Sequence, residues 1–243
     1  MSSHVARRVP LPRPAIPTPA SSSSQDIFVP ASSRECENIM KTMVKQKQAH
    51  QAFAFLEAMQ HRRIFPTKVT YNSAMHAWAQ KADPATAIQI FDKMRLDRGI
   101  KPCIISYNTI LNACARKGEK ELCESWLHQM QHDGMRPDSI SYSAMITACN
   151  KKRDPKGANA WLEIMINAGI SHDVVPFNQV IDAHAKTNDP QGAVRIFEQM
   201  VNRGLQPTVV SFNGVIASFA ARKNIVQAFA WLQRMDEFRV APT

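Results

Sequence analysis

The sequence predicts an all-α protein, an α-solenoid of about six two-helix repeats. An aromatic–polar pair recurs at near-constant spacing: Tyr71-Asn72, Tyr107-Asn108, Tyr142-Ser143, Phe177-Asn178 and Phe212-Asn213 are separated by 36, 35, 35 and 35 residues. Inside each unit, apolar residues fall at i, i+3, i+4 and i+7 twice over, the pattern of two amphipathic helices. Only 8 of 243 residues are glycine and no alternating β-branched stretch appears, which argues against β-sandwiches and glycine-rich nucleotide folds. A single helical pair cannot bury both of its faces, so such units stack into a continuous core.

Taken in chain order, residues 1–32 stand apart. They contain Arg7, Arg8 and Arg13, no acid before Asp26, a serine run at 21–24 and many prolines. Proline removes helix donors, so no stable structure is expected there. The composition fits either a disordered tail or an organelle transit peptide, and it lacks the apolar stretch of a secretory signal. A 35-residue step back from Tyr71 reaches Cys36, which places a degenerate first unit at 33–67. Five more follow at 68–103, 104–138, 139–173, 174–208 and 209–243, the second longer by one residue in the loop at 95–98.

The first helix of a unit is read from faces such as Tyr107, Ile110, Leu111, Cys114 and Phe177, Val180, Ile181, His184. Thr70, Ser106, Ser141 and Ser211 precede the aromatic and are expected to cap this helix. The second helix repeats the spacing at Ala193, Ile196, Phe197 and Met200. It opens at Asp83-Pro84, Asp154-Pro155 and Asp189-Pro190, an N-cap followed by proline at the first helical position. Gly99, Gly134, Gly169 and Gly204 suit its stop. Met59, Met94, Met130, Met165, Met200 and Met235 share one slot and read as core filler, as do Trp126, Trp161 and Trp231 one turn earlier. Cys114 and Cys149 hold equivalent slots in adjacent units, and helices stacked about 8–10 Å apart keep them beyond disulfide reach. His184 shares that slot and reads as a core histidine rather than a ligand.

The net charge of +10 points to a polyanionic partner. The 5 cysteines are odd in number and form no C-x-x-C pair, so neither a disulfide framework nor a zinc site is expected, and a reducing compartment fits. No apolar run approaches the length of a membrane span. No G-x-x-x-x-G-K-[ST], G-x-S-x-G, H-E-x-x-H or H-x-E with C-x-x-C occurs. The expectation is a non-enzymatic protein with no cofactor, metal, membrane or small-molecule substrate. One cation closes each first helix: Lys45, Lys81, Arg116, Lys151, Lys186 and Arg222. Such a ladder would line one edge of a groove, or serve the helix dipoles alone.

The pattern V-x-Y-N-x-x-I … A-x-x-x-F-x-x-M … G-x-x-P, seen in VTYNSAM…AIQIFDKM…GIKP and VPFNQVI…AVRIFEQM…GLQP, resembles the pentatricopeptide repeat family. It differs from tetratricopeptide repeats in its period, in a bulky eighth position and in methionine at the twenty-seventh. The resemblance covers 33–243 and implies a right-handed solenoid that binds single-stranded RNA, about one base per repeat, in organellar RNA metabolism. It implies that the fifth and last residues of each unit face the base edge: Glu37/Thr67, Asn72/Cys103, Asn108/Asp138, Ser143/Asp173, Asn178/Thr208 and Asn213/Thr243. By the family's pairing rules Asn108/Asp138 is expected to read uracil and Ser143/Asp173 guanine, whereas Glu37/Thr67 fits no rule. The second residues Val69, Ile105, Ile140, Val175 and Val210 would sandwich bases. The thirteenth-position cation would meet phosphate, matched by Lys45, Lys151 and Lys186 and conservatively by Arg116; Lys81 and Arg222 fall one place late. The location implied is mitochondrion or plastid. The alternative is a non-catalytic scaffold or subunit of a larger organellar ribonucleoprotein, with other proteins as partners.

Overall fold

The computed structural model describes residues 28–97, 99–170 and 173–240. Most of the 1–32 segment, Arg98, His172 and the reader Thr243 lie outside them. The described residues form twelve helices and no strand. In chain order these are α1 (Ser33–Lys45), α2 (Ala49–His61), α3 (Lys68–Gln80), α4 (Pro84–Leu96), α5 (Ile104–Lys117) and α6 (Lys120–His132), then α7 (Ser139–Lys151), α8 (Pro155–Asn167), α9 (Val174–Lys186), α10 (Pro190–Asn202), α11 (Val209–Ala221) and α12 (Ile225–Glu237).

The second helices open as expected. Asp83, Asp154 and Asp189 are N-caps that accept the backbone N–H of Thr86, Gly157 and Gly192 at 3.2, 2.8 and 3.0 Å, each followed by proline. The first helices open differently. Their N-caps are Thr67, Cys103, Asp138, Asp173 and Thr208, and Thr70, Ser106, Ser141 and Ser211 lie one turn inside, at the third helical position. These hydroxyls reach back to the N-cap N–H in a capping-box arrangement, so they support the start without being the start.

Each turn between helices needs one left-handed residue. Between units Gly99, Gly134, Gly169 and Gly204 supply it, with φ of 88, 79, 70 and 75°, and Arg63 supplies it after the first unit. Within units the role falls mostly to non-glycine residues, Lys47, Ala82, Arg153, Asn188 and Lys223, with Gly118 the exception.

Packing sets the curvature. Consecutive first helices touch, α1 on α3, α3 on α5, and so on to α9 on α11. Each second helix lies against the first helices before and after it, and successive second helices meet only through long side chains such as Lys93 and Glu57. The row in mutual contact takes the shorter path, so the first helices line the inner face. The joints repeat: Phe91 stands edge-on to Tyr107 and Trp126 of the next unit at 5.0 and 5.1 Å, and Phe197 meets Phe212 and Trp231 at 4.8 and 4.9 Å. The six slot methionines are fully buried, and the cysteines are free thiols. The apolar core runs as two clusters that meet at α7, with Trp161 against both.

Candidate nucleic-acid interface

The inner row presents its N-terminal ends as a repeating edge. Val69, Ile105, Ile140, Val175 and Val210 are the second residues of α3, α5, α7, α9 and α11 and are 42–62% exposed. Branched aliphatic side chains left in water at these five successive helix starts are a cost that a flat apolar ligand would remove.

Between these side chains lie the polar pairs. Each fifth residue sits one turn into a first helix, and for the first five units its partner is the N-cap of the next first helix. Asn108 Nδ2 donates to both carboxylate oxygens of Asp138, at 3.0 and 3.1 Å. Asn178 Nδ2 donates to Thr208 Oγ1 at 3.4 Å, and Asn72 Nδ2 to Cys103 Sγ at 3.7 Å. Thr67 Oγ1 donates to Glu37 Oε1 at 2.5 Å, so the carboxylate of the first unit is already engaged. Ser143 and Asp173 make no direct bond; Asp173 instead accepts the N–H of Val175 at 3.3 Å. Asn213 is exposed. Burial pushes the Cys103 thiol up, but hydrogen bonds from the Ser106 side chain and backbone, from Ile105 and from Asn72 outweigh it and hold the thiol below its ordinary value.

The cations at the far end of the inner helices are all exposed but not equivalent. Lys45, Arg116 and Lys151 make no ion pair among the described residues. Lys186 Nζ is held by Asp182 at 2.5 Å. Arg222 Nε donates to the Asn188 carbonyl at 2.6 Å, and Lys81 lies 5.5 Å above the Trp78 ring. Being one place late therefore turns Arg222 towards the preceding unit's turn and Lys81 onto its own helix.

Sequence reasoning missed two features. At the junction of α7 and α9, Asn150 Nδ2 donates to the Gln179 carbonyl at 2.6 Å, while Asn150 Oδ1 and Gln179 Oε1 are buried without partners. The second is the contact of Ser106, Ser141 and Ser211 with the reader amides: these hydroxyls were expected as caps alone, and their recurrence in step with Asn72, Asn108 and Asn178 was the available signal. His184 is a buried core residue, as expected, with its ring nitrogens 2.9 Å from Asp189 Oδ2 and 3.1 Å from Asn159 Oδ1. Among the described residues no cluster of His, Cys, Asp and Glu could hold a metal, and no helix is long and apolar enough to cross a membrane.

Comparison with known proteins gives three matching family models. A PPR repeat family matches 102–151 and 172–221, a pentatricopeptide repeat domain 32–81 and 73–117, and a PPR repeat 140–170 and 210–240. A chloroplastic pentatricopeptide repeat-containing protein of Arabidopsis thaliana is 32% identical over 83 residues, 34% of this chain and 11% of that protein. The chain therefore spans about a tenth of that relative's length. The crystal structure of the maize pentatricopeptide repeat protein PPR10 superposes with a TM-score of 0.72 at 20% identity, over 87% of this chain and 30% of that one. PPR10 in complex with an 18-nt psaJ RNA element gives a TM-score of 0.52 at 22% identity, over 88% and 36%. The PPR domain of Arabidopsis thaliana protein-only RNase P 1, in complex with tRNA, gives 0.62 at 12% identity, over 76% and 97%.

Proposed function

This chain belongs to the pentatricopeptide repeat family, and from that premise we propose that it is a non-enzymatic, single-stranded RNA-binding protein acting in a mitochondrion or plastid. Its units are those at 33–67, 68–103, 104–138, 139–173, 174–208 and 209–243, each addressing about one base. The observation that carries this reading is the alternation along one edge of exposed aliphatic side chains and polar pairs. Two aliphatics can clasp a base between them while the pair between meets its hydrogen-bonding edge. The net charge of +10 supplies the attraction to a polyanion. PPR10, bound to RNA in its own crystal structure, and the chloroplastic relative support the substrate class and the compartment.

Filter binding tests the proposal. Single-stranded RNA is expected to bind more tightly than duplex RNA or single-stranded DNA of the same sequence. Equal or absent binding would favour the second reading, a scaffold within a larger ribonucleoprotein. The engaged Glu37–Thr67 pair favours that reading for the first unit alone.

A further inference from the structure

We propose that base reading in this chain is a three-residue function, in which the third-position hydroxyl of α5, α7 and α11 orients the reader amide of the unit before it. The inference rests on the RNA reading above and assigns positioning roles to Ser106, Ser141 and Ser211. Ser106 Oγ donates to Asn72 Oδ1 at 2.8 Å, Ser141 Oγ to Asn108 Oδ1 at 2.6 Å, and Ser211 Oγ to Asn178 Oδ1 at 2.6 Å. Each hydroxyl also accepts the N–H of its own N-cap, from Cys103, Asp138 and Thr208, at 3.2, 3.2 and 3.0 Å. A hydroxyl has one proton to give. The other acceptors in reach are farther: Asp138 Oδ1 at 3.0 Å from Ser141, Thr208 Oγ1 at 3.3 Å from Ser211, Cys103 Sγ at 3.6 Å from Ser106, and the slot sulfurs of Met94 and Met130 at 3.8 Å. The proton therefore belongs to the amide carbonyl.

The consequence is chemical. With Oδ1 pinned into the helix junction, the amide shows the groove only its NH2 group, already turned towards Asp138, Thr208 or Cys103. Asn108 with Asp138 then offers a donor beside an acceptor, the complement of uracil's carbonyl and ring N–H. An amide turned over would offer an acceptor instead and accept the amino group of cytosine.

Helix capping alone does not account for these hydroxyls. α9 has Pro176 at the third position and forms all the same, with 13 residues. The unit before it is also the one whose reader is Ser143, a side chain with no carbonyl to hold. Asparagine and hydroxyl thus occur together at three of the five junctions and serine with proline at one, while at the first junction, where the reader is Glu37, Thr70 serves only the cap at Thr67.

Two sets of variants test this by competition binding with RNAs that differ at one base. Ser143→Asn alone places an unpinned amide in the fourth unit and should give little preference between uracil and cytosine. Ser143→Asn with Pro176→Ser should give a preference for uracil of about tenfold or more. Conversely, Ser141→Ala should erase the third unit's preference while weakening total affinity less. Ser141→Thr should keep it, since threonine carries the same hydroxyl and Thr70 shows that it fits at this position of a first helix. Independently of RNA, the Asn108 side-chain amide signals of the free protein should broaden or shift in Ser141→Ala and not in Ser141→Thr. The inference is overturned if the double variant is no more selective than Ser143→Asn, or if Ser141→Ala keeps both the preference and the amide signals. A wild-type protein with no base preference at the third unit would overturn the RNA reading itself, and the amide signals would still decide whether the hydroxyl holds the carbonyl.

Discussion

A side chain's sequence position and its availability are different properties, as the cation ladder makes plain. Lys45, Lys151 and Lys186 share the thirteenth position, yet Lys186 is neutralised locally by Asp182 on its own helix, one turn away. Only Lys45, Arg116 and Lys151 stand exposed without such a partner. Replacing these three by alanine should flatten the dependence of log K on log salt by about 0.7 for each phosphate left without its cation. The ratio between matched and mismatched RNA should stay the same, because backbone contacts carry no base information. Lys186→Ala should change the slope less. Asp182→Asn should strengthen binding at low salt by releasing Lys186, and an unchanged affinity would mean that this lysine never faces the strand. The local pairing of Lys186 was not legible from position counting. It needed the i, i+4 relation of Asp182 to be weighed beside the 35-residue one.

At the scale of an element, twelve helices, proline after the Asp caps of α4, α8 and α10 and glycine at four of the turns between units were all readable, because each follows from short-range backbone chemistry. The starts of the first helices were misplaced by one turn. Thr70, Ser106, Ser141 and Ser211 have capping chemistry, but the helix had already begun at the less obvious Thr67, Cys103, Asp138 and Thr208. The turns inside units were also opaque, since Ala82 at φ 55° gives no sign of a left-handed position. That strain predicts that Ala82→Gly raises stability by about 0.5–1 kcal/mol, because an L-residue there carries a steric penalty that glycine lacks. Asn188→Gly, at a residue that tolerates this conformation, should gain less, and thermal melts of the two variants compare them. The N-cap carboxylates predict a pH dependence as well. The Lys120 ammonium and the Gly157 N–H hold Asp154 below its ordinary range. Burial pushes Asp189 up, but the Gly192 N–H and His184 outweigh it. A depressed carboxylate contributes stability that is complete above its unfolded value, about pH 4, and is lost as pH falls through the folded one. Melting temperature should therefore drop below about pH 4, and less steeply in Asp154→Asn and Asp189→Asn than in wild type.

At the scale of the molecule, the solenoid is a row of nearest-neighbour contacts, so stability depends on how many neighbours a unit has. The two ends differ. At the first unit Val29 is buried, and the Pro30 carbonyl accepts the Cys36 thiol at 3.3 Å, so the segment before α1 covers that face. At the sixth, Leu232 is 39% exposed, although Leu56, Phe91, Leu127, Leu162 and Phe197 in the same slot are buried. Ile225, Val226 and Phe229 are exposed on the same helix. This asymmetry was hidden in the sequence, where Leu232 looks like its five equivalents; only its exposure among the described residues distinguishes it. Two measurements follow from it. Leu162→Ala empties a slot packed on both sides and should cost about 2–5 kcal/mol, whereas Leu232→Ala removes a half-wet side chain and should cost about 1 kcal/mol or less. Native-state hydrogen exchange should show protection highest through α5–α9 and lowest in α12, with α2 above α12 because the first unit is covered. Single-stranded RNA spanning the sixth unit should raise protection most in α11, which carries Val210 and Asn213. A flat protection profile along the twelve helices would mean that the chain unfolds as one cooperative block, and the neighbour-by-neighbour account of its stability would fall.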